Sequence, residues 1–134
     1  MASPAALPHT HDAAIEKDPA SLPRIEDFKK PAEVFRLLGD PSRLRIFWIL
    51  CHGEECVINI SALMNMSSPS IAHHLKLLKM SGLLTSRRVG KEVFYRAADS
   101  DTVATLHPLV ERMIRLLCPK PHPGNRGQAE HAEQ

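Results

Sequence analysis

Two adjacent histidines, His73 and His74, lie in the stretch "SSPSIAHHLKLLKMSGLL" at residues 67–84. Paired imidazoles suggest either a metal site or contact with an anion. Consecutive residues on a helix point about 100° apart, so the two rings do not easily share one metal ion. Hydroxyl groups precede the histidines and lysines follow them, and such groups bind phosphates. We therefore expect the polar face of this stretch to contact an anionic partner.

A basic patch extends from this stretch toward the C-terminus. Between residues 67 and 96 the only acidic residue is Glu92, against six basic ones: Lys76, Lys79, Arg87, Arg88, Lys91 and Arg96. The net charge of the whole chain is only +2. Clustered positive charge of this kind predicts a phosphate-bearing partner.

The three cysteines predict free thiols rather than a disulfide framework. Cys51, Cys56 and Cys118 are odd in number and form no repeated C-x-x-C pattern. The segment "CHGEEC" at residues 51–56 concentrates thiol, imidazole and carboxylate groups, which suit a soft divalent ion. A polar surface turn between two helices explains this segment equally well.

Length and composition predict one domain. The chain has 134 residues, 43% of them hydrophobic and 24% charged, which is ordinary for a globular protein. We expect a domain at residues 25–118, between an arm (1–24) and a tail (119–134) that are disordered or loosely attached. The lack of a long apolar run and of a secretory signal predicts a cytoplasmic protein without membrane association. No motif of catalytic residues indicates an enzyme.

Four helices are predicted in the first two thirds of the domain. One starts near Pro31 and stops at Gly39, and a second starts after a cap at Asp40. A third helix ends near Met66, and a fourth spans about residues 68–80. The second helix is expected to bury Leu44, Phe47, Trp48 and Cys51, and the fourth to bury Ile71, Leu75 and Leu78.

A change of period after Gly82 predicts a basic β-hairpin with its turn at Gly90 and with Arg87, Arg88 and Lys91 near its tip. A last helix, capped by Ser100 or Asp101, contains Pro108, which predicts a kink or a late start. The resulting fold class is mainly α with a small β-hairpin, in the order α-α-α-α-β-β-α. This is a winged helix-turn-helix, in which the second helix of the motif enters the DNA major groove.

At these residues the sequence resembles the ArsR/SmtB family of bacterial transcriptional repressors. The resemblance is carried by "LLGDPSRLRIFWIL", "EECVINI", "HHLKLLKMSGLL" and "SRRVGKEVFYR", and it covers roughly residues 32–117. It implies a homodimer that binds an inverted repeat of double-stranded DNA and leaves it when an inducer binds. The family commonly has serine where this chain has Pro69 and Ala72, so its operator preference is expected to differ.

The resemblance and the residue types together give two sets of expected contacts. DNA contacts are expected from Ser68, Ser70, His73, His74, Lys76, Arg87, Arg88 and Lys91. Dimer contacts are expected along the first and last helices, from Val34, Leu37, Val103, Leu106, Val110, Met113, Ile114 and Leu117. The alternative for each apolar residue of the last helix is burial in the core of its own chain.

Inducer sites of the family are only partly present. Of the family's C-V-C box only Cys56 is kept, and zinc, cadmium or another soft divalent metal would need ligands from the arm: His9, His11 and Asp12. The usual ligands of the last helix are absent, and His107 with Glu111, near Asp99 or Asp101, is a displaced alternative.

The alternative to a metal inducer is thiol chemistry, since some relatives pair a cysteine of the second helix with one near the end of the last helix. Cys51 and Cys118 lie in those two elements, and a disulfide would need their Cα atoms within about 7 Å. A further functional alternative is a winged-helix protein-interaction module that does not bind DNA.

Overall fold

The structure is a computed structural model that describes residues 8–9 and 19–118. The chain divides into two compact units, Met1–Arg36 and Leu37–Gln134. In the described ranges, no helix has the length and apolar character needed to cross a membrane.

The described part of the first unit contains a short 3-10 helix, Pro19–Ser21, and most of helix α1, Ile25–Leu38. The expectation that this helix starts near Pro31 is wrong, because Pro31 lies inside it. The carboxylate of Asp27 accepts a hydrogen bond from the backbone N–H of Arg24 at 3.0 Å, and Glu26 adds negative charge to the first turn. Negative charge at a helix N-terminus favours the helix, so it begins six residues earlier than predicted.

Helix α2, Pro41–His52, starts as predicted after a cap at Asp40, whose Oδ2 accepts a hydrogen bond from the backbone N–H of Arg43 at 2.9 Å. Its buried face differs from the prediction and consists of Ile46, Phe47 and Leu50. The helix contacts α4, β3 and α5, so its apolar residues do not mark one face. Leu44, Trp48 and Cys51 are only half-buried.

The helix-turn-helix consists of α3, Val57–Met64, and α4, Ser68–Met80. Asn65 adopts the left-handed conformation (φ 52°) that ends α3, and Ser67 caps α4. The prediction for α4 is confirmed both in its bounds and in its core residues, because Ile71, Leu75 and Leu78 are all 0% exposed.

The wing is an antiparallel hairpin of β2, Leu84–Val89, and β3, Glu92–Ala97, with Gly90 in the turn at φ +62°. A two-residue strand, β1 (Glu55–Cys56), pairs with β3, so the sheet order is β1-β3-β2. The pairs are Glu55 with Tyr95 and Cys56 with Phe94. The sequence did not predict β1, since two residues are too short for a periodic pattern.

Helix α5, Asp101–Leu117, is capped by Ser100, whose hydroxyl accepts a hydrogen bond from the backbone N–H of Val103. It continues through Pro108, so the expected late start is wrong. Four residues expected at the dimer interface already lie in the core of the chain, and this corrects that expectation: Leu37, Val103, Leu106 and Val110 are 2–8% exposed.

Candidate functional site

The solvent-facing side of α4 carries most of the side chains that the sequence suggested for DNA contact. Ser68, Ser70, His73 and Lys76 are exposed. The cap residue Ser67 accepts a hydrogen bond from the backbone N–H of Ser70 and donates its own hydroxyl to Ser70 Oγ at 2.9 Å. Lys76 makes no hydrogen bond or ion pair with any residue that the structure describes. This face is therefore available to a partner.

His74 departs from the expected polar face. It is half-buried, and its Nδ1 lies 3.4 Å from Nη1 of Arg43 on α2. Burial lowers the pKa of His74, and the charge of Arg43 lowers it further, against an opposing effect of Asp40. His74 therefore packs α4 against α2, and its contact with DNA stays a prediction. Among the described residues, neither His73 nor His74 belongs to a group of three metal ligands.

Arg87 lies in β2, three residues before the turn glycine of the wing, Gly90. Its Nε donates to both carboxylate oxygens of Glu54 at 2.9 and 2.8 Å. This contact lowers the pKa of Glu54 and raises that of Arg87. Arg88 and Lys91 are exposed and make no hydrogen bond or ion pair within the described ranges. These two side chains are free to bind phosphate, whereas Arg87 already has an acidic partner.

Lys79 makes a contact that the sequence did not predict. Its Nζ donates to Ser86 Oγ at 2.6 Å and so joins the end of α4 to the first strand of the wing. The basic patch contained Lys79, but its contact with Ser86 depends on the packing of α4 against β2 and is not encoded in local spacing.

The cysteines are separate in the structure, and all three are free. Burial, and then the charge of Glu111, raise the pKa of Cys51 to about 11. Cys118 is exposed at the end of α5 and lies seven residues beyond Glu111, about 10 Å along the helix. Cys56 is 8% exposed in β1. His11 and Asp12 lie outside the described residues, so the arm site stays a prediction.

His107 and Glu111 do approach each other, but their partner is His52 rather than Asp99 or Asp101. Glu111 Oε1 lies 3.0 Å from His52 Nε2 and 3.5 Å from His107 Nε2. Trp48 Nε1 on α2 donates a hydrogen bond to the same oxygen, Glu111 Oε1, at 2.9 Å. We call His52, His107 and Glu111 the α2–α5 cluster. The sequence contained both halves of the cluster without indicating that they meet.

Comparisons with known proteins agree with this geometry. Residues 40–86 match the family described as "Bacterial regulatory protein, arsR family". A "transcriptional repressor SmtB homolog" from Synechocystis is 33% identical over 93 residues, which cover 69% of this chain and 70% of that protein. A "cadmium resistance transcriptional regulatory protein CadC homolog" from Staphylococcus aureus is 38% identical over 69 residues, 51% of this chain and 57% of that protein.

The fold is also found among solved structures. One is the solution structure of a homodimeric winged helix-turn-helix DNA-binding domain from Mycobacterium bovis, described as a possible ArsR-family regulator. It is 29% identical with a TM-score of 0.62, and the match covers 77% of this chain and 97% of that one. The fold and its exposed α4 face thus define a winged helix-turn-helix regulator, and this confirms the prediction of a regulator rather than an enzyme.

The similarity in sequence and in structure decides the family. The chain belongs to the arsR family of bacterial regulatory proteins.

Proposed function

We propose that the protein is a homodimeric transcriptional repressor that binds an inverted repeat in double-stranded DNA and leaves it when an inducer binds. The observation that carries this proposal is the exposed polar face of α4, which presents Ser70, His73 and Lys76 beside a basic wing. In a winged helix-turn-helix this helix enters the major groove, and the wing lies along phosphates or the minor groove.

The side chains divide by chemistry into two groups. Lys76, Arg88 and Lys91 carry charges without a partner in the described structure, and they would bind phosphates regardless of sequence. Ser70 and His73 carry groups that hydrogen-bond to base edges, so they would set sequence preference. Ser68 lies at the start of α4, where its hydroxyl is placed for a phosphate or a base edge.

Fluorescence anisotropy with labelled DNA from upstream of the gene tests this division. Replacing Arg88 or Lys91 by alanine should weaken binding to every sequence and reduce the slope of affinity against salt by about one unit per lost phosphate contact. Arg45→Ala removes an exposed charge from α2 and serves as the matched control. His73→Ala should instead change the ranking of operator variants. A uniform effect of all these changes would contradict the division.

The dependence of DNA binding on salt concentration also distinguishes a repressor from a winged-helix protein-interaction module. A module that does not bind DNA would leave the charges of Lys76, Arg88 and Lys91 without a role, and its anisotropy signal would not depend on salt.

The homodimer is supported by apolar side chains on the second half of α5. Met113 and Ile114 are each 47% exposed and Leu117 is 73% exposed in the single chain. Exposed apolar surface of this kind is typical of protein interfaces. Val34 on α1 is half-buried and stays in the proposed interface. The structural relative from M. bovis is described as homodimeric, which is consistent with this proposal.

For the inducer we propose a divalent metal ion of the zinc and cadmium class. One relative is named for cadmium resistance, and this chain carries Cys56 as a thiol ligand with His9, His11 and Asp12 as arm ligands. A thiol switch between Cys51 and Cys118 is less favoured. The raised pKa of Cys51 leaves little thiolate at neutral pH, and thiolate is the form that reacts.

A further inference from the structure

We propose that the α2–α5 cluster is itself a binding site for a divalent transition-metal ion of the zinc class, assembled within a single chain. Its ligands are Nε2 of His52, Nε2 of His107 and Oε1 of Glu111, and these atoms lie within 4.8 Å of one another. Two imidazoles and one carboxylate are a ligand set that zinc accepts, and the fourth position stays open to water.

The spacing of the ligand atoms matches a metal centre. Ligands about 2.1 Å from a tetrahedral zinc ion are about 3.4 Å apart. The distances from Glu111 Oε1 to the two imidazole nitrogens are 3.0 and 3.5 Å. The two imidazole rings lie nearly perpendicular, with centroids 4.8 Å apart. Small rotations of these side chains would therefore place three ligands around one ion.

The surroundings orient two of the ligands. His52 Nδ1 lies 2.8 Å from the backbone carbonyl of Trp48, which only accepts hydrogen bonds. Nδ1 must therefore carry the proton, so in a neutral ring Nε2 presents its lone pair toward Glu111. A metal-bound histidine is usually held in this way, with its other nitrogen donating to a carbonyl. Trp48 Nε1 donates to Glu111 Oε1 and uses one lone pair of that oxygen, leaving a second for an ion.

His107 supplies an independent observation. Its Nε2 is the one buried side-chain nitrogen or oxygen without a hydrogen-bond partner among the described residues. Buried polar atoms in native proteins nearly always have a partner, so an orphaned nitrogen needs a physical explanation. A metal ion between His107, His52 and Glu111 would satisfy this nitrogen.

An ion can reach the cluster from solvent, and the nearby positive charge of Arg115 does not block its binding. The His52 side chain is 44% exposed, and a cleft lined by Cys51, His52, Glu54, Arg96 and His107 opens beside the cluster. Arg115 lies nearest to the other carboxylate oxygen of Glu111, with Nη1 at 3.9 Å from Oε2. That guanidinium therefore leaves Oε1 available.

A regulatory role for this site rests on the proposed function. Helix α2 contacts α4, which is the proposed DNA-reading helix, and α2 also contacts α5, which is the proposed dimer helix. An ion that joins His52 to His107 would fix α2 against α5. An ion that binds one arrangement of α2 and α5 more tightly than another shifts the protein toward the arrangement that it binds. DNA affinity changes if the two arrangements bind DNA differently.

The test is a titration of the full-length, reduced and chelator-treated protein with Co²⁺ and then Zn²⁺. Trp48 is the only tryptophan, and it contacts both His52 and Glu111, so its fluorescence reports directly on the cluster. The visible absorption of Co²⁺ gives a second readout that does not depend on the indole. We expect one Co²⁺ ion per chain to quench Trp48 and to be displaced by Zn²⁺, whether or not a second ion binds through Cys56.

Variants locate the ion. His107→Ala and Glu111→Gln should each lower affinity by more than the ~10–100-fold that loss of a supporting residue causes. Arg45→Ala changes an exposed residue outside both proposed metal sites and is the control, so it should leave the quenching of Trp48 unchanged. The quenching should also persist in Cys56→Ser, which lacks the thiol of the proposed arm site. Far-UV circular dichroism checks that the variants fold. Two results would overturn the site: no Co²⁺ binding by the wild-type protein, or binding that survives in His107→Ala and Glu111→Gln but disappears in Cys56→Ser.

DNA anisotropy on the same samples separates this inference from the proposed function. If metal releases DNA from the Cys56→Ser protein but not from the His107→Ala protein, both hold. Metal binding without DNA release would keep the site and overturn its regulatory role. A protein that binds metal at the cluster but never binds DNA would contradict the proposed function alone.

Discussion

The indole Nε1 of Trp48 lies 2.9 Å from Oε1 of Glu111, and this hydrogen bond joins α2 to α5 across 63 residues of sequence. The same indole packs against the imidazole of His52, with ring centroids 4.1 Å apart. The hydrogen bond between Trp48 and Glu111 therefore lies where α2, which contributes to the core, meets α5, which presents apolar side chains to solvent.

Loss of this hydrogen bond should lower stability. In a double-mutant cycle of Trp48→Phe and Glu111→Ala, we expect a coupling energy of about 1 kcal/mol, typical of a partly buried hydrogen bond. Urea unfolding of the wild type, the two single variants and the double variant measures it. A coupling energy of zero would show that the contact contributes nothing to the folded state.

The stability of helix α4 should depend on its buried stripe. Ile71 is 0% exposed, so Ile71→Ala should lower the free energy of unfolding by about 2–5 kcal/mol. Ile58 on α3 is 70% exposed, and Ile58→Ala should change it by no more than about 0.5 kcal/mol. Chemical denaturation of both variants compares the two positions, and equal losses would contradict the assigned core.

The thiol of Cys51 should react slowly at neutral pH. Burial and the nearby Glu111 raise its pKa from the ordinary 9.0 to about 11, so the reactive thiolate is scarce until the pH approaches that value. Between pH 9.0 and about 11, the folded protein keeps the proton of the Cys51 thiol while the unfolded chain loses it. The contribution to stability is therefore complete below pH 9.0 and declines as the pH rises toward about 11.

Alkylation with iodoacetamide, followed by mass spectrometry, measures the reactivity of each cysteine. The exposed Cys118 is the internal control and should be modified first at neutral pH. Cys51 modification should accelerate over the alkaline range. Modification of Cys51 as fast as Cys118 at neutral pH would reopen the thiol-switch hypothesis.

The apolar end of α5 should hold two subunits together. Ile114→Glu places a charge where an exposed apolar side chain is proposed to pack, and we expect it to convert the dimer to a monomer. Analytical ultracentrifugation gives the mass directly. Arg112→Glu changes an exposed residue of the same helix and is the matched control. A dimer that persists in Ile114→Glu would exclude this face as the interface.

The elements that the sequence predicted well are those with a strong local signal. The bounds of α4 follow from its cap at Ser67 and from the spacing of Ile71, Leu75 and Leu78, and the wing follows from Gly90 and the strand-forming residues around it. The start of α1 was misplaced because proline is a strong local signal, which the hydrogen bond from the backbone N–H of Arg24 to the Asp27 carboxylate outweighs.

The exposure of the candidate DNA-contact residues was predictable from their charge alone. Lys76 and Arg88 are exposed in the structure as the basic pattern suggested. The partner of Arg87 was not predictable, since Glu54 lies 33 residues away and pairs with it only because β1 and β2 flank β3. The approach of His52 to His107 and Glu111 was not predictable for the same reason, because periodicity says nothing about which helices meet.

The most direct test of the account is fluorescence anisotropy of the full-length, reduced protein on DNA from upstream of its own gene. It is measured first with a chelator and then with added zinc or cadmium, with a mild disulfide-forming oxidant in parallel. We expect salt-sensitive binding with the chelator, and release by metal but not by oxidant. Failure to bind this or any other duplex under all conditions would contradict the central claim that the protein is a DNA-binding repressor.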